Sequence, residues 1–169
     1  MEWETAYHAT TENFENLQIR EGVSSRHASS LEPAIWLTSR IEVAYIFISD
    51  YVKDLYPISR YGRQGAGVLS IGIGKIKKNA RIIIVKVKLD NPIIVKSSEV
   101  EHLILGQKDE DWREAGELFA KFAKKVKESG YDGIIIKANP ASPNLEFRAK
   151  QYVVFDEKKI KIIKVKQIN

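Results

Sequence analysis

Three polar residues near strand-like segments at opposite ends of the chain could take part in chemistry. His8 lies within residues 6–10, Gln151 lies within residues 150–156, and Glu146 precedes Gln151 by five positions. An imidazole can bind a hydroxyl near neutral pH, a carboxylate can stabilise a developing cation, and an amide can only donate and accept hydrogen bonds. Each also has an ordinary explanation. A histidine at a strand end often bonds to the backbone, and a loop carboxylate is usually solvated.

Other kinds of site have no recognisable motif in this sequence. His27 and His102 do not form a metal-ligand spacing with nearby residues, and cysteine is absent. Neither Gly-x-Ser-x-Gly nor His-Glu-x-x-His occurs, so neither a serine hydrolase nor a zinc protease is predicted. The glycines between 62 and 74 match neither the Walker A nor the Rossmann pattern, and a hairpin or flexible flap explains them better.

The composition predicts one globular domain. The chain has 169 residues, of which 44% are hydrophobic, and this suffices for a sizeable core. No apolar run approaches the length that spans a bilayer, and no signal-peptide pattern opens the chain, so a cytoplasmic setting is the default expectation. One methionine, no cysteine and many isoleucines, lysines and glutamates hint at a thermophilic source.

The net charge of +5 permits, but does not require, an anionic partner. Lysines are concentrated at 75–88, 121–127 and 158–166. The preferred explanation is that they form the solvated faces of strands and a helix. The alternative is that they attract nucleic acid or the phosphates of a dinucleotide.

The pattern of apolar residues predicts a single α+β domain spanning residues 1–169. The clearest element is a helix at 111–129, whose apolar residues recur at helical spacing. Another helix should begin at Thr38 or Ser39 and run to about Val52, and a short one should lie near 98–105. Strands are predicted at 3–9, 33–38, 68–74, 80–89, 93–96, 134–136, 152–155 and 159–165, with polar loops at 18–32, 56–67 and 138–149.

Three segments together resemble signature strands of the ADP-ribosyltransferase superfamily, in its poly(ADP-ribose) polymerase and diphtheria-toxin-like branch. Tyr-His-Ala-Thr at 7–10 is similar to the family's Tyr/Leu-His-Gly-Ser/Thr. Ala-Ile-Trp-Leu-Thr at 34–38 is similar to Gly-Ile-Tyr-Phe-Ala/Thr, and Lys-Gln-Tyr-Val-Val-Phe-Asp at 150–156 to Asn-Glu-Tyr-Ile-Val-Tyr-Asp. The motifs occur in the family's order. The likeness is nearest to small domains of mobile elements and phage polyvalent proteins.

The resemblance implies two packed, mainly antiparallel sheets around a cleft for NAD. In that cleft His8 would hydrogen-bond the nicotinamide-side ribose, and the main chain at Ala9, beside Thr10, would hold the carboxamide. Trp36 would stack on the nicotinamide ring, and Tyr45 on the following helix would be the second aromatic. The ordinary alternatives are a core tryptophan at 36 and a simple apolar helix face at 45.

Gln151 occupies the position of the family's catalytic glutamate, on a strand expected to lie beside that of His8. In the family, breakage of the bond to nicotinamide passes through an oxocarbenium-like state that the carboxylate stabilises. Glutamine can bind the ribose but carries no charge, and Glu146 or Glu42 could supply a substitute acid. The resemblance therefore implies a mono-ADP-ribosyltransferase that uses NAD as a substrate and needs no metal.

The loop at 138–150 occupies the place of the family's acceptor-recognition turn. Asn144, Arg148 and Lys150 could there meet a phosphate or carboxylate of a protein or nucleic-acid acceptor. The neutral Gln151 and the positive charge leave a second hypothesis open, a catalytically inactive module that binds nucleic acid or protein. The related RNA 2′-phosphotransferases rely on further histidines and arginines, for which this sequence offers no convincing set.

Overall fold

The computed structural model describes residues 1–11, 34–49, 76–105 and 112–168. The loops predicted at 18–32 and 56–67, the strand predicted at 68–74 and His27 lie outside the described residues. The described chain contains β1 (Glu4–Thr10), β2 (Ile35–Thr38), α1 (Ile41–Ile46), β3 (Arg81–Val87), β4 (Pro92–Lys96), α2 (Ser97–Leu105), α3 (Trp112–Glu128), β5 (Gly133–Lys137), β6 (Gln151–Val154) and β7 (Ile160–Gln167), with 3-10 turns at Leu145–Arg148 and Glu157–Lys159.

The predicted elements within the described residues are confirmed, apart from the helix after β2. Thr38 is the last residue of β2 rather than a helix cap, because it pairs with Gln151 of β6. Arg40 instead precedes the helix in an extended conformation, without a side-chain cap, and α1 ends at Ile46. The predicted 138–149 loop also contains the 3-10 turn that ends at Arg148.

All seven described strands belong to one mixed sheet, in the order β4-β5-β6-β2-β1-β3-β7. Only β4 and β5 pair in parallel, so the expectation of mainly antiparallel pairing holds. Two separate packed sheets are not confirmed. The prediction that His8 and Gln151 lie on adjacent strands is wrong, because β2 lies between β1 and β6. The pairing of β1 with β2, called the β1–β2 joint here, is limited to one register pair, Tyr7 with Thr38. In contrast, β1 pairs with β3 along its whole length.

The sheet curls back on itself, because the connection between β3 and β4 is too short to cross a flat sheet. Residues 88–91 join β3 to β4, which are five strand positions apart. That separation would be about 24 Å in a flat sheet, whereas the chain from Val87 to Pro92 spans at most about 18 Å. Near the same end, Lys159 before β7 places Nζ 3.5 Å from a carboxylate oxygen of Asp132 before β5.

The concave side of this curl, called the inner face here, carries a core drawn from both halves of the sheet. Leu89, two residues after β3, packs against Gly133 of β5. A Cβ at Gly133 would lie 2.6 Å from the Val153 carbonyl oxygen and 2.9 Å from a Leu89 methyl carbon, so this close approach requires glycine. The members of this core are Ala6, Ile35, Leu37, Ile83, Val85, Val87, Leu89, Ile135, Tyr152 and Val154.

On the opposite side, called the outer face, the described helices pack against the sheet and leave the lysines of β7 exposed. Phe119 and Ala123 of α3 pack there with Ile134 and Val153. Over the other half, α1 packs on β1 and β3, and Ala44 is completely buried. The outer face therefore holds two hydrophobic clusters, one on each side of the β1–β2 joint.

Candidate functional site

His8 reaches across the narrow joint between the two halves of the sheet. It is half-buried on β1, and its Nδ1 donates a hydrogen bond to the Trp36 carbonyl oxygen at 2.8 Å. Because a carbonyl can only accept, this contact places the proton of the neutral ring on Nδ1 and the lone pair on Nε2. In this state Nε2 is a hydrogen-bond acceptor, the role needed to bind a hydroxyl.

Trp36 and Tyr45, the two predicted aromatic residues, both join hydrophobic clusters on the outer face. The ring of Trp36 lies 5.2 Å from that of Phe119, centroid to centroid, at an angle of 48°. Tyr45 packs with Tyr7 and Ile84 over the other half of the sheet. Both predicted residues are half-buried. Their packing matches the ordinary explanation of each.

Gln151 and Glu146 are in contact beneath the 3-10 turn that leads into β6. The Gln151 side chain is 4% exposed, and its Nε2 donates to the Glu146 carbonyl oxygen at 2.7 Å. That bond fixes the orientation of the amide, because the carbonyl can only accept. The Glu146 side chain is itself 1% exposed.

One transverse row of the sheet runs from β1 through β2 to Gln151 on β6, whereas His8 is paired with Ile83 of the inner core and lies on the other face. Tyr7 pairs with Thr38, and Thr38 pairs with Gln151, so all three lie on the outer face. β1 and β6 are separated by two strand spacings, about 10 Å. Neither Tyr7 nor Thr38 was predicted to have a role in the site. The only available signal was their position, beside His8 and at the end of the second motif.

The predicted acceptor residues Asn144, Arg148 and Lys150 do not form one patch. Nδ2 of Asn144 donates to Glu101 on α2 at 3.3 Å. The Ser142 hydroxyl also donates to Glu101, at 3.1 Å, and Nε of Arg148 donates to the Ser142 carbonyl oxygen at 2.8 Å. These bonds attach the turn before β6 to α2.

Lys150 takes part instead in a network on the inner face that the sequence did not indicate. It forms an ion pair with Glu4 of β1, and the Tyr152 hydroxyl donates to the same carboxylate at 2.8 Å. The ammonium group of Lys150 also lies 5.3 Å from the centre of the Tyr152 ring. The network links β1 to β6 across β2, and alternation along β6 places it on the face opposite Gln151.

Burial and charge shift two pKa values in this network. Burial acts to raise the pKa of the Glu4 carboxyl, but the hydrogen bonds from Lys150 and Tyr152 and the charge of Lys150 outweigh it, so the net pKa lies below the ordinary value. Burial raises the pKa of Tyr152, and the hydrogen bond to the Glu4 carboxylate raises it further. The stable state is therefore a charged Glu4 beside a protonated Tyr152.

Comparison with known proteins gives one weak structural match. No protein-family model and no curated protein matches the sequence. The chain is similar to a chain of the M. tuberculosis MbcT–MbcA toxin–antitoxin complex, with a TM-score of 0.44 and 12% identity over 98% of this chain and 84% of the other. A likeness of this size supports no family or activity for this protein.

Two further features of the described residues concern metals and membranes. Within the described parts of the chain, no cluster of three histidine, aspartate or glutamate side chains could hold a metal ion. None of the described helices is both long enough and apolar enough to cross a bilayer. The described chain is thus an α+β protein with a curled mixed sheet, and alternation places Gln151 on the outer face and His8 on the inner face.

Proposed function

We propose that this protein is a mono-ADP-ribosyltransferase that takes NAD as its substrate and transfers ADP-ribose to a protein or nucleic-acid acceptor. One observation carries the proposal. The three motifs that resemble the transferase family are distant in sequence, yet they fall on β1, β2 and β6, which follow one another in the sheet. His8 of the first motif also contacts the main chain of Trp36 in the second.

The β1–β2 joint is the proposed position of the nicotinamide riboside. The two strands share only the Tyr7–Thr38 register pair, so the ladder is not continued toward Ala9 and Thr10. Main-chain groups along that stretch could hold a carboxamide, and Nε2 of His8 could accept a hydrogen bond from a ribose hydroxyl. Trp36, with Tyr45, would meet the cationic ring through a cation–π attraction of about 1–2 kcal/mol.

Gln151 would bind the ribose and would not act as a base. Its Nε2 is engaged by the Glu146 carbonyl oxygen, so its Oε1 is the end that would accept a hydrogen bond from the substrate. A neutral amide neither stabilises a cation as a carboxylate does nor removes a proton from an acceptor hydroxyl. Turnover should therefore be slow and limited to single additions. The buried Glu146 is the proposed substitute acid.

A second candidate is a catalytically inactive binding module with the same fold. The observation that favours this candidate is the packing of Gln151 and Trp36. Gln151 is 4% exposed and bonded to the preceding turn, while the ring of Trp36 lies against Phe119. Both side chains thus have structural roles that need no substrate.

Incubation with labelled NAD and a mixture of protein, DNA and RNA acceptors separates the two candidates. The transferase releases nicotinamide and labels one class of acceptor with single ADP-ribose units. Calorimetry with NAD should show weaker binding for His8→Ala, whereas His102→Ala, at an exposed histidine of α2, serves as the matched control and should bind as wild type. Release of no nicotinamide and transfer of no label would favour the inactive module, and equal NAD binding by both variants would refute the role of His8.

A further inference from the structure

A row of lysines follows the edge strand β7 on the outer face of the sheet. Lys161 pairs with Lys86 of β3, which pairs with Thr5 of β1. Lys164 pairs with Ile84 and Lys166 with Ile82, and a register shift between Ile84 and Val85 brings both lysines to the face of β7 that carries Lys161. We call Lys86, Lys161, Lys164 and Lys166 the basic strip.

The basic strip is exposed, and no negative charge lies within its rows. The three lysines of β7 are exposed and Lys86 is half-buried. The residues opposite them on β1 and β3 are Thr5, Tyr7, Ala9, Ile84 and Ile82, none of which is acidic. Alternate residues of a strand are about 7 Å apart. The strip therefore presents a series of cations along an open edge, which suits a linear polyanion.

An exposed aromatic ring stands at one end of the basic strip. Trp3 is 37% exposed, and the ammonium group of Lys161 lies 4.2 Å from its ring centre. Because Trp3 precedes Thr5 by two residues, it continues the same face of β1. An aromatic ring beside a row of lysines is the combination that binds single-stranded nucleic acid, with stacked bases and neutralised phosphates.

We propose that the basic strip and Trp3 bind single-stranded nucleic acid. The phosphates lie along the lysines of β7, and a base stacks on Trp3. A second copy of this chain would bring like charges together, so self-association through the strip is disfavoured. Protection of the sheet edge alone accounts for the lysines, but it gives no reason for an exposed tryptophan held beside them. The inference does not depend on the proposed transferase activity.

Salt-dependent binding of a labelled oligothymidylate, followed by fluorescence anisotropy, tests the proposal. Each phosphate contact contributes about 0.7 to the slope of log K against log salt for a single strand. The substitutions Lys161→Gln, Lys164→Gln and Lys166→Gln combined should therefore reduce the slope by about 2. The matched control combines Lys121→Gln, Lys124→Gln and Lys125→Gln, which remove the same charge from exposed positions on α3 and should leave the slope unchanged.

A tryptophan variant tests the stacking contact separately from charge. Trp3→Leu should weaken binding about tenfold and Trp3→Phe less, because phenylalanine retains a stacking face. Circular dichroism confirms that each variant is folded. If a combined lysine variant unfolds, the single variants Lys164→Gln and Lys121→Gln are compared in its place. The proposal would be overturned if the two combined lysine variants lost the same amount of affinity, or if no saturable binding occurred. It would also be overturned if the protein bound duplex DNA as tightly as the single strand, or bound polyglutamate more tightly than the oligothymidylate.

Discussion

Removal of the Tyr152 hydroxyl tests the network that joins β1 to β6. The Tyr152 side chain is 1% exposed, and its hydroxyl donates to the Glu4 carboxylate at 2.8 Å. In Tyr152→Phe the ring remains and the hydrogen bond is lost. A hydrogen bond to a charged group contributes about 1.5–3 kcal/mol, and because the Glu4 side chain is 33% exposed, we take the lower end.

The expected result is a free energy of unfolding about 1.5 kcal/mol below wild type. For a domain of this size, that corresponds to a lowering of Tm by about 3–6 °C. Urea unfolding followed by circular dichroism measures the change. Tyr131→Phe is the matched control, since the Tyr131 hydroxyl makes no hydrogen bond with a described residue, and it should unfold as wild type. Equal stability of Tyr152→Phe and wild type would refute the reasoning.

The pH dependence of stability gives a second readout of the same network. Folding lowers the pKa of Glu4 below its ordinary value of 4.5, so its contribution is complete above that pH and is lost as the pH falls through the lowered value. The free energies of unfolding of wild type and Glu4→Gln should therefore differ most near neutral pH and become equal in acid. Folding raises the pKa of Tyr152, so wild type should lose stability above its ordinary value of 10.0, and Tyr152→Phe should lack this loss. Parallel pH profiles would contradict the assignment.

Substitutions at three further positions test the site and the fold. Gln151→Glu should raise the rate of NAD hydrolysis or ADP-ribose transfer, because it adds negative charge beside the developing cation. Gln151→Ala should lower that rate. If both variants have the wild-type rate, Gln151 has a structural role only. Gly133→Ala should cost about 1–3 kcal/mol in urea unfolding, because its Cβ would overlap the Val153 carbonyl oxygen, which is 2.6 Å away, and an unchanged midpoint would contradict the close packing. Glu101→Gln should speed hydrogen exchange of the backbone amides in the turn before β6, because an amide cannot accept both hydrogen bonds from Ser142 and Asn144 as strongly as the carboxylate. Unchanged exchange would show that these two hydrogen bonds are not needed to hold the turn.

The sequence by itself determined most of the local elements of this protein. The helix at 112–128 and the strands at 133–137 and 160–167 were predictable because periodicity and turn residues are local signals. The lysines of β7 were expected on a solvated face, and Lys161, Lys164 and Lys166 are exposed, but a register shift rather than strict alternation places all three on one face. The apolar pattern also placed His8 on a strand and Gln151 directly before one, and β6 begins at Gln151.

The tertiary structure alone decided how those strands meet. Thr38 has a residue type that can cap a helix, but its pairing with Gln151 keeps it in the sheet, so α1 begins later than predicted. The insertion of β2 between β1 and β6, and the contact of Glu4 with Tyr152 across 148 positions, depend on pairing between distant segments. Pairing of this kind is chosen by the packing of the whole curled sheet, and no local pattern of residues encodes it.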